Sequence, residues 1–207
     1  MASGTISQVV IKRLPRYMRF LSELKAEGID RISSQELSER MHVTASQIRQ
    51  DLNHFGGFGQ QGYGYNVSNL ITEIGKILGL DRPHNLIVIG AGNLGRALAG
   101  YSNFEGRGLY IRALFDAAPE KTVRDVRGLP VFGMDALTGF LQQNDIDIAV
   151  LTIPKENVRE VASRLYELGI RGFWNFAHVD LALPDDAVVE NVHLSESLMQ
   201  LTYYMKP

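Results

Sequence analysis

The chain has 207 residues, 45% of them hydrophobic and 21% charged, with a formal net charge of −2 and no cysteine. Such a composition is ordinary for a globular protein; the lack of cysteine excludes disulfides, thiolate metal sites, cysteine nucleophiles and thiol-based redox sensing. No stretch approaches the roughly 20 apolar residues that span a bilayer, and the opening MASGTISQVVIKRLPRYMRF lacks the apolar region of a secretory signal, so a cytoplasmic protein without membrane association is expected.

Charge is unevenly spread. Residues 1–80 carry nine Lys/Arg and seven Asp/Glu, whereas residues 81–207 carry twelve and sixteen. Lys12, Arg13, Arg16 and Arg19 precede the first acid. This basic front suits a polyanion contact or a solvated helix face equally.

In chain order, Leu14, Tyr17, Met18, Leu21 and Leu24 recur at helical spacing, Pro15 starts or kinks that helix, and Gly28 closes it. Ser33 and Glu36 make a capping-box pattern for a second helix through about Arg40. After Met41-His42-Val43, Thr44 and Gln47 make another, opening a third helix through about His54. Two short capped helices across a tight turn form a helix-turn-helix or a plain helical hairpin. Residues 55–65, FGGFGQQGYGY, hold five glycines and four aromatics. Glycines permit a hairpin and aromatics anchor it, so a wing is expected rather than a linker. Residues 67–79 read as an amphipathic helix with Leu70, Ile71, Ile74, Ile77 and Leu78 on one face.

From residue 86 the pattern changes. Leu86–Ile89 is a fully apolar run, as in a buried parallel strand. Further strands are expected at 109–115, 148–153, 170–174 and near 188–192, with helices between, the clearest at 156–168. The alternation indicates an α/β fold with a parallel sheet. The expected domains are 1–80, a winged helix; 81–192, a Rossmann-type sheet domain; and 193–207, a terminal helix.

The first strand runs into Gly90-Ala91-Gly92-Asn93-Leu94-Gly95 and then a helix-favouring segment. This is GxGxxG in its strand–helix context: the first glycine turns the chain, the second admits a pyrophosphate, and the third lets helix and strand pack closely. Asp116 follows at the end of the next strand, placed to bond the adenosine ribose and to repel a 2′-phosphate, which favours NAD(H) over NADP(H); it can equally be a strand-end cap. Thr152 and Pro154, and Asn175 and Phe176, end later strands at the same edge. They either line the nicotinamide side or are ordinary strand exits. A dehydrogenase needs an acid/base group at the nicotinamide. Only His178 and Tyr101 are candidates, with no Tyr-x-x-x-Lys pair, so binding is favoured over catalysis. The alternatives are a small NAD-dependent oxidoreductase with a helical extension, a coenzyme A-binding module, which the Asp116 charge opposes, and a DNA-binding protein with a degenerate pocket.

The segments ISSQEL (32–37), VTASQIRQDL (43–52), the 55–65 wing, IGAGNLGRALAGY (89–101), FDAAPEK (115–121), VRGLPV (126–131) and NFA (175–177) resemble the Rex family of redox-sensing repressors, over essentially the whole chain. The resemblance implies a homodimer that binds palindromic operator DNA when NAD⁺ predominates and leaves it when NADH rises, controlling genes of NADH reoxidation, fermentation and anaerobic respiration. It implies a terminal helix swapped between subunits; here residues 195–205 fit, with Leu194, Leu198, Leu201 and Met205 on one stripe, although packing on the chain's own sheet fits the periodicity equally. It gives Tyr101 and Arg19 switching roles, the latter through an acidic residue whose position holds His193 here. That departure replaces an Arg–carboxylate pair with a protonatable ring and implies a pH-sensitive response. On DNA, the third helix presents Ser46, Gln47, Arg49, Gln50 and His54. Arg reads guanine and Gln reads adenine in the major groove; many relatives carry Lys where Gln50 stands. Tyr63 and Gly64 of the wing, with Arg13 and Arg16, are expected on phosphates. No metal is expected.

Overall fold

The computed structural model describes residues 6–53, 59–60, 63–121 and 124–205, in two compact units, Met1–Arg82 and Pro83–Pro207. His54 and most of the wing expected at 55–65 lie outside the described residues.

The front unit runs α1 (Gln8–Ile11), α2 (Leu14–Ala26), β1 (Arg31–Ile32), α3 (Ser34–Met41), α4 (Ala45–Asn53), β2 (Gly59–Gln60), β3 (Gly64–Asn66) and α5 (Val67–Ile77). Pro15 lies in the first turn of α2, where its missing N–H costs nothing. Leu14, Tyr17, Leu21 and Leu24 of α2 are buried with Leu70 and Ile74 of α5, Leu37 and Met41 of α3, and Ile48 and Leu52 of α4. Ser33 and Glu36 complete both bonds of the capping box, at 3.1 and 2.8 Å. The second box is only half made. Thr44 Oγ1 accepts from the Gln47 N–H at 3.1 Å, but the Gln47 side chain turns away to Asp51, one turn ahead. His42 makes the corner between α3 and α4 in the left-handed region, with φ 52°. Strands order as β1-β3-β2, all antiparallel, with Ile32 opposite Tyr65 and Gln60 opposite Gly64. Gly64 has φ +68°, and a Cβ there would lie 2.7 Å from the Ile32 carbonyl oxygen, so the base of this ribbon requires glycine.

The rear unit runs β4 (His84–Ile89), α6 (Asn93–Ala99), β5 (Leu109–Asp116), β6 (Asp125–Val126), β7 (Leu129–Gly133), α7 (Leu137–Gln143), β8 (Ile148–Leu151), α8 (Lys155–Glu167), β9 (Gly172–Asn175), β10 (Val188–Asn191) and α9 (Leu194–Tyr204). One sheet is ordered β10-β9-β8-β4-β5-β7-β6; all neighbours are parallel except the β6 edge. The chain leaves β4 toward β5 on one side and returns to β8 on the other, so the crevice at the carboxyl ends of β4 and β8 is the topological switch point. One face buries Ile87, Ile89, Phe115 and Phe173 with Leu137 of α7 and Val158, Ala162 and Leu165 of α8. The other buries Leu86, Val88, Leu114 and Val150, with Leu98 of α6 packed on them.

The β6–β7 ribbon has no counterpart among the expected elements, and α7 is one of the helices expected between strands, there without bounds of its own. The ribbon turns on Arg127 (φ 54°) and Gly128 (φ 85°), a pair of positive φ values that suits a two-residue hairpin, but its first strand is too short to show a period. Within α7, Gly139 interrupts a seven-residue helix and weakens its pattern. Among the described residues no helix is long and apolar enough to cross a membrane.

Candidate nucleotide and DNA sites

The glycine turn is shaped by atoms it lacks. Gly90 has φ +102°, and a Cβ on it would meet the Thr152 carbonyl oxygen at 2.8 Å; a Cβ on Gly95 would sit 1.9 Å from the Gly90 carbonyl oxygen. Nothing lies within 4 Å of a Cβ built on Gly92, so the middle glycine faces open space at the start of α6. The Thr152 hydroxyl lies 2.9 Å from the Gly90 carbonyl and 3.0 Å from that of Ile89, and donates its single proton between them. Thr152 thus braces the turn from below. Asn93 faces solvent and accepts from Arg96 at 2.8 Å; Leu94 is partly exposed and Ala91 buried.

The Asp116 carboxylate accepts from the Ala91 N–H at 2.8 Å and from the Ala118 N–H at 2.9 Å. It is therefore a strand-end cap that ties β5 to the glycine turn, with lone pairs left on each oxygen. Beside it opens a cleft of about 430 Å³ lined by Ile89, Phe115, Asp116, Ala117, Met134, Ile153, Pro154, Asn157, Glu160 and Val161. Pro154, read as either a nicotinamide-side residue or an ordinary strand exit, lines the cleft with Asp116, because α8 starts immediately after it and returns along that face. Sequence reasoning missed Met134 and Asn157; an apolar residue in a connection and an amide in the first turn of α8 carry no shared local pattern.

Asn175 is fully buried. Its amide donates to the Val179 carbonyl at 2.9 Å and to Asn191 Oδ1 at 2.8 Å, and accepts from the Ala177 N–H at 3.0 Å. That side chain holds the ends of β9 and β10 together instead of facing a ligand. Phe176 packs edge-on against Trp174 at 4.7 Å on the α6 face. Tyr101 lies just beyond α6; it is half exposed, edge-on to Phe104 at 4.9 Å, and accepts from Asn103 at 3.0 Å.

His193 precedes α9. Its ring stacks on His178 at 5.1 Å with 17° between planes, and its Nδ1 is buried with no hydrogen-bond partner among the described residues. Asp180 and Glu196 line the same cleft, of about 240 Å³. No group of three or more potential ligands able to hold a metal occurs among the described residues. In α9 no residue is buried, and Leu194, Leu198, Met199, Leu201, Tyr203 and Tyr204, with Met205 just after the helix, are exposed by 53–79%. On the α6 face a third, apolar cleft of about 360 Å³ is lined chiefly by Leu86, Phe104, Leu109, Ile148, Trp174 and Val188.

In the front unit, α4 turns Ser46, Arg49 and Gln50 outward and buries Ile48, Asp51 and Leu52. Arg49 donates to Ser34 Oγ at 3.1 Å. Tyr63 is exposed, and its carbonyl accepts from Arg31 at 3.2 Å. Arg13 grips Asp51 with two bonds, at 2.8 and 2.6 Å, and Arg16 donates to the Met41 carbonyl that ends α3. Both guanidinium groups have intramolecular tasks because the chain folds α3 and α4 against the start of α2. Arg19 instead lies over the Phe20 ring at 4.8 Å. Gln47, read as a base contact, is half-buried and donates to Asp51 at 2.8 Å. Sequence reasoning missed Asp51 itself, although a charge between Ile48 and Leu52 on the apolar face of a helix was a visible signal.

Burial of the Asp51 carboxyl pushes its pKa up, but hydrogen bonds from Arg13, Gln47 and Tyr17 outweigh this and hold it below the usual carboxylate range. Burial, then the bond to Asp51, raises the Tyr17 phenol well above its ordinary value, and the bond to Asp51 raises Arg13.

Two family models match: "Putative DNA-binding protein N-terminus" over residues 5–53 and "CoA binding domain" over residues 81–179. The redox-sensing transcriptional repressor Rex of Clostridioides difficile (strain 630) is 55% identical over 206 residues, covering 100% of this chain and 98% of the relative. The Rex of Caldanaerobacter subterraneus subsp. tengcongensis is 54% identical over 198 residues, covering 96% and 88%. Among solved structures, RSP in complex with β-NAD⁺ and operator DNA superposes with a TM-score of 0.90 at 51% identity, covering 98% of this chain and 93% of that one. RSP with β-NADH gives 0.87 at 48% identity, covering 98% and 95%. With a helix-turn-helix and ribbon in front, a Rossmann-type sheet behind, and relatives this similar along its whole length, the chain belongs to the Rex family of redox-sensing transcriptional repressors.

Proposed function

We propose that this chain is an NADH-responsive repressor of the cytoplasm, not an enzyme: α4 enters the major groove of a palindromic operator, the rear unit binds NAD(H), and NADH releases the DNA. The glycine turn tied to Asp116 carries the reading. Pyrophosphate lies over Gly92, with Gly90, Ala91, Asn93, Leu94 and Gly95 shaping its cradle at the start of α6, and adenosine lies in the cleft beside Asp116 and Pro154. The spare lone pairs of Asp116 bond the ribose hydroxyls. The same carboxylate repels a phosphorylated ribose, which disfavours NADP(H) and coenzyme A, the latter despite the family match over residues 81–179. Thr152 and Asn175 hold the loops around the ligand, and Tyr101 and Phe176 stand toward its nicotinamide end. Ser46, Arg49 and Gln50 read bases, and His54, Tyr63 and Gly64 meet the backbone.

The chain acts as a homodimer. An eleven-residue helix with no buried residue, rich in leucine, methionine and tyrosine, is stable in water only when covered. A second copy of this chain supplies the cover, α9 being exchanged between subunits. NADH and NAD⁺ differ by a hydride and one positive charge, and an effector moves an equilibrium only through a differential affinity for its two states. Arg19, Tyr101 and His193 take part in that discrimination. The regulated genes are those of NADH reoxidation, fermentation and respiration.

Fluorescence anisotropy on a palindromic operator, with NAD⁺, NADH and coenzyme A titrated separately, tests the reading. Release by NADH alone is expected; equal operator affinity with oxidised and reduced dinucleotide overturns it.

A further inference from the structure

Among the described residues only one charged side chain is fully buried, Asp51, and it lies on the helix assigned to base reading. Its two oxygens accept four hydrogen bonds. Oδ1 takes Arg13 Nη2 at 2.6 Å and Gln47 Nε2 at 2.8 Å; Oδ2 takes Arg13 Nε at 2.8 Å and the Tyr17 hydroxyl at 2.9 Å. All four acceptor positions of the carboxylate are thereby used. Two of the partners, Arg13 and Tyr17, come from the start of α2, so the network crosses from one helix to the other.

Net stability does not explain such a group, because a buried ion pair is commonly matched or surpassed by apolar packing of equal volume. What four directional bonds add is a single orientation. Ile48 and Leu52, on either side of Asp51, pack through non-directional contacts that tolerate a small roll of α4. A helix with its side chains is about 10–12 Å across, so a roll of about 20° moves a side-chain tip by roughly 2 Å. The useful range of a hydrogen bond to a base edge is narrower than that. Ser46, Arg49 and Gln50 sit on the opposite face, where any roll is felt in full.

We infer that Asp51 is a positioning residue for operator recognition: with Arg13, Tyr17 and Gln47 it sets the roll of α4 on α2, and Gln47 acts through Asp51, not on a base. This rests on the reading of α4 as the recognition helix. The recognition face then comprises Ser46, Arg49 and Gln50, and the network behind it converts a loosely packed helix into one with a fixed angular register.

The test uses the full chain, the duplex it selects from a random-sequence library, all single base-pair variants of that duplex, and a scrambled duplex. Asp51→Asn is expected to weaken the selected duplex about ten- to a hundredfold and leave the scrambled one unchanged, since phosphate contacts dominate non-specific binding. Gln47→Ala is expected to weaken the selected duplex about threefold to tenfold with an unaltered ranking of base variants. Tyr17→Phe keeps the ion pair and gives a smaller loss of selectivity. Circular dichroism and thermal melting establish folding; if Asp51→Asn does not fold, Gln47→Ala and Tyr17→Phe decide. A preserved selected-to-scrambled ratio in the folded variants overturns the inference, as does a loss of preference at one base position in Gln47→Ala, which would make that residue a base reader. A wild-type chain that selects no sequence instead overturns the repressor reading itself.

Discussion

The two proposed contact surfaces are held by opposite means. The Gly90–Gly95 turn owes its shape to missing side chains: Gly90 and Gly95 each forbid a Cβ, and Gly92 leaves space for a ligand. The recognition helix owes its setting to an added group, a buried carboxylate with four donors. A site made by steric vacancy fails when any atom is added. A site made by a polar anchor fails when a charge is removed, and then fails in orientation before it fails in fold. Contact with ligand and effects on selectivity therefore separate cleanly between the two units.

The largest expected effect is that of Gly95→Ala. A methyl group 1.9 Å from a carbonyl oxygen forces strand and helix apart. Overpacking of this kind costs about 1–3 kcal/mol or more, so thermal melting should fall and NADH binding, followed by nicotinamide fluorescence, should vanish. Normal NADH affinity in this variant breaks the vacancy account. Next comes Arg49→Ala on the front unit. Losing a base contact of about 1–3 kcal/mol should abolish the operator gel shift near the wild-type dissociation constant while NADH binding stays intact. An undiminished shift refutes the assignment of α4.

Asp116→Ala is expected to weaken NADH by the loss of charge-assisted bonds, about 1.5–3 kcal/mol, and to narrow the preference over NADPH. Isothermal titration with both dinucleotides measures this, and a retained NADH preference places the ribose elsewhere. The smallest effect is on acid stability. Because the folded Asp51 carboxyl lies below its unfolded value of about 3.9, its contribution is present above that pH and is lost as pH falls through the folded value. Denaturant unfolding of the front unit between pH 6 and pH 3 should show this loss, and Asp51→Asn should flatten it.

Much of the architecture was legible because it is written in local patterns. The Ser33/Glu36 box, the α2 stripe from Leu14 to Leu24, and a glycine turn between an apolar strand and a helix each fall within about a dozen residues. The β6–β7 ribbon escaped because its strands are too short to establish a period, and α7 received no bounds because Gly139 interrupts its seven residues. Readings stayed open or changed wherever a side chain chose a distant partner. Arg13 and Asp51 are 38 residues apart, Asn175 and Asn191 16 apart, and Pro154 meets Asp116 only across a cleft built by three connections. A long polar side chain is interpreted by what it reaches, and reach is a property of the folded chain.

Read alone, the amino-acid order determined most of the helices and strands, where the backbone must be glycine, and which family the chain resembles, because these follow from steric limits and hydrophobic spacing along the chain. Only the tertiary structure decided the tasks of the polar residues: that Arg13, Arg16 and Gln47 bond within the chain, that Thr152 and Asn175 brace loops, and that His178 stacks on His193. Hydrogen bonds and ring contacts are short-ranged in space, and proximity in space is not encoded at any fixed separation in sequence.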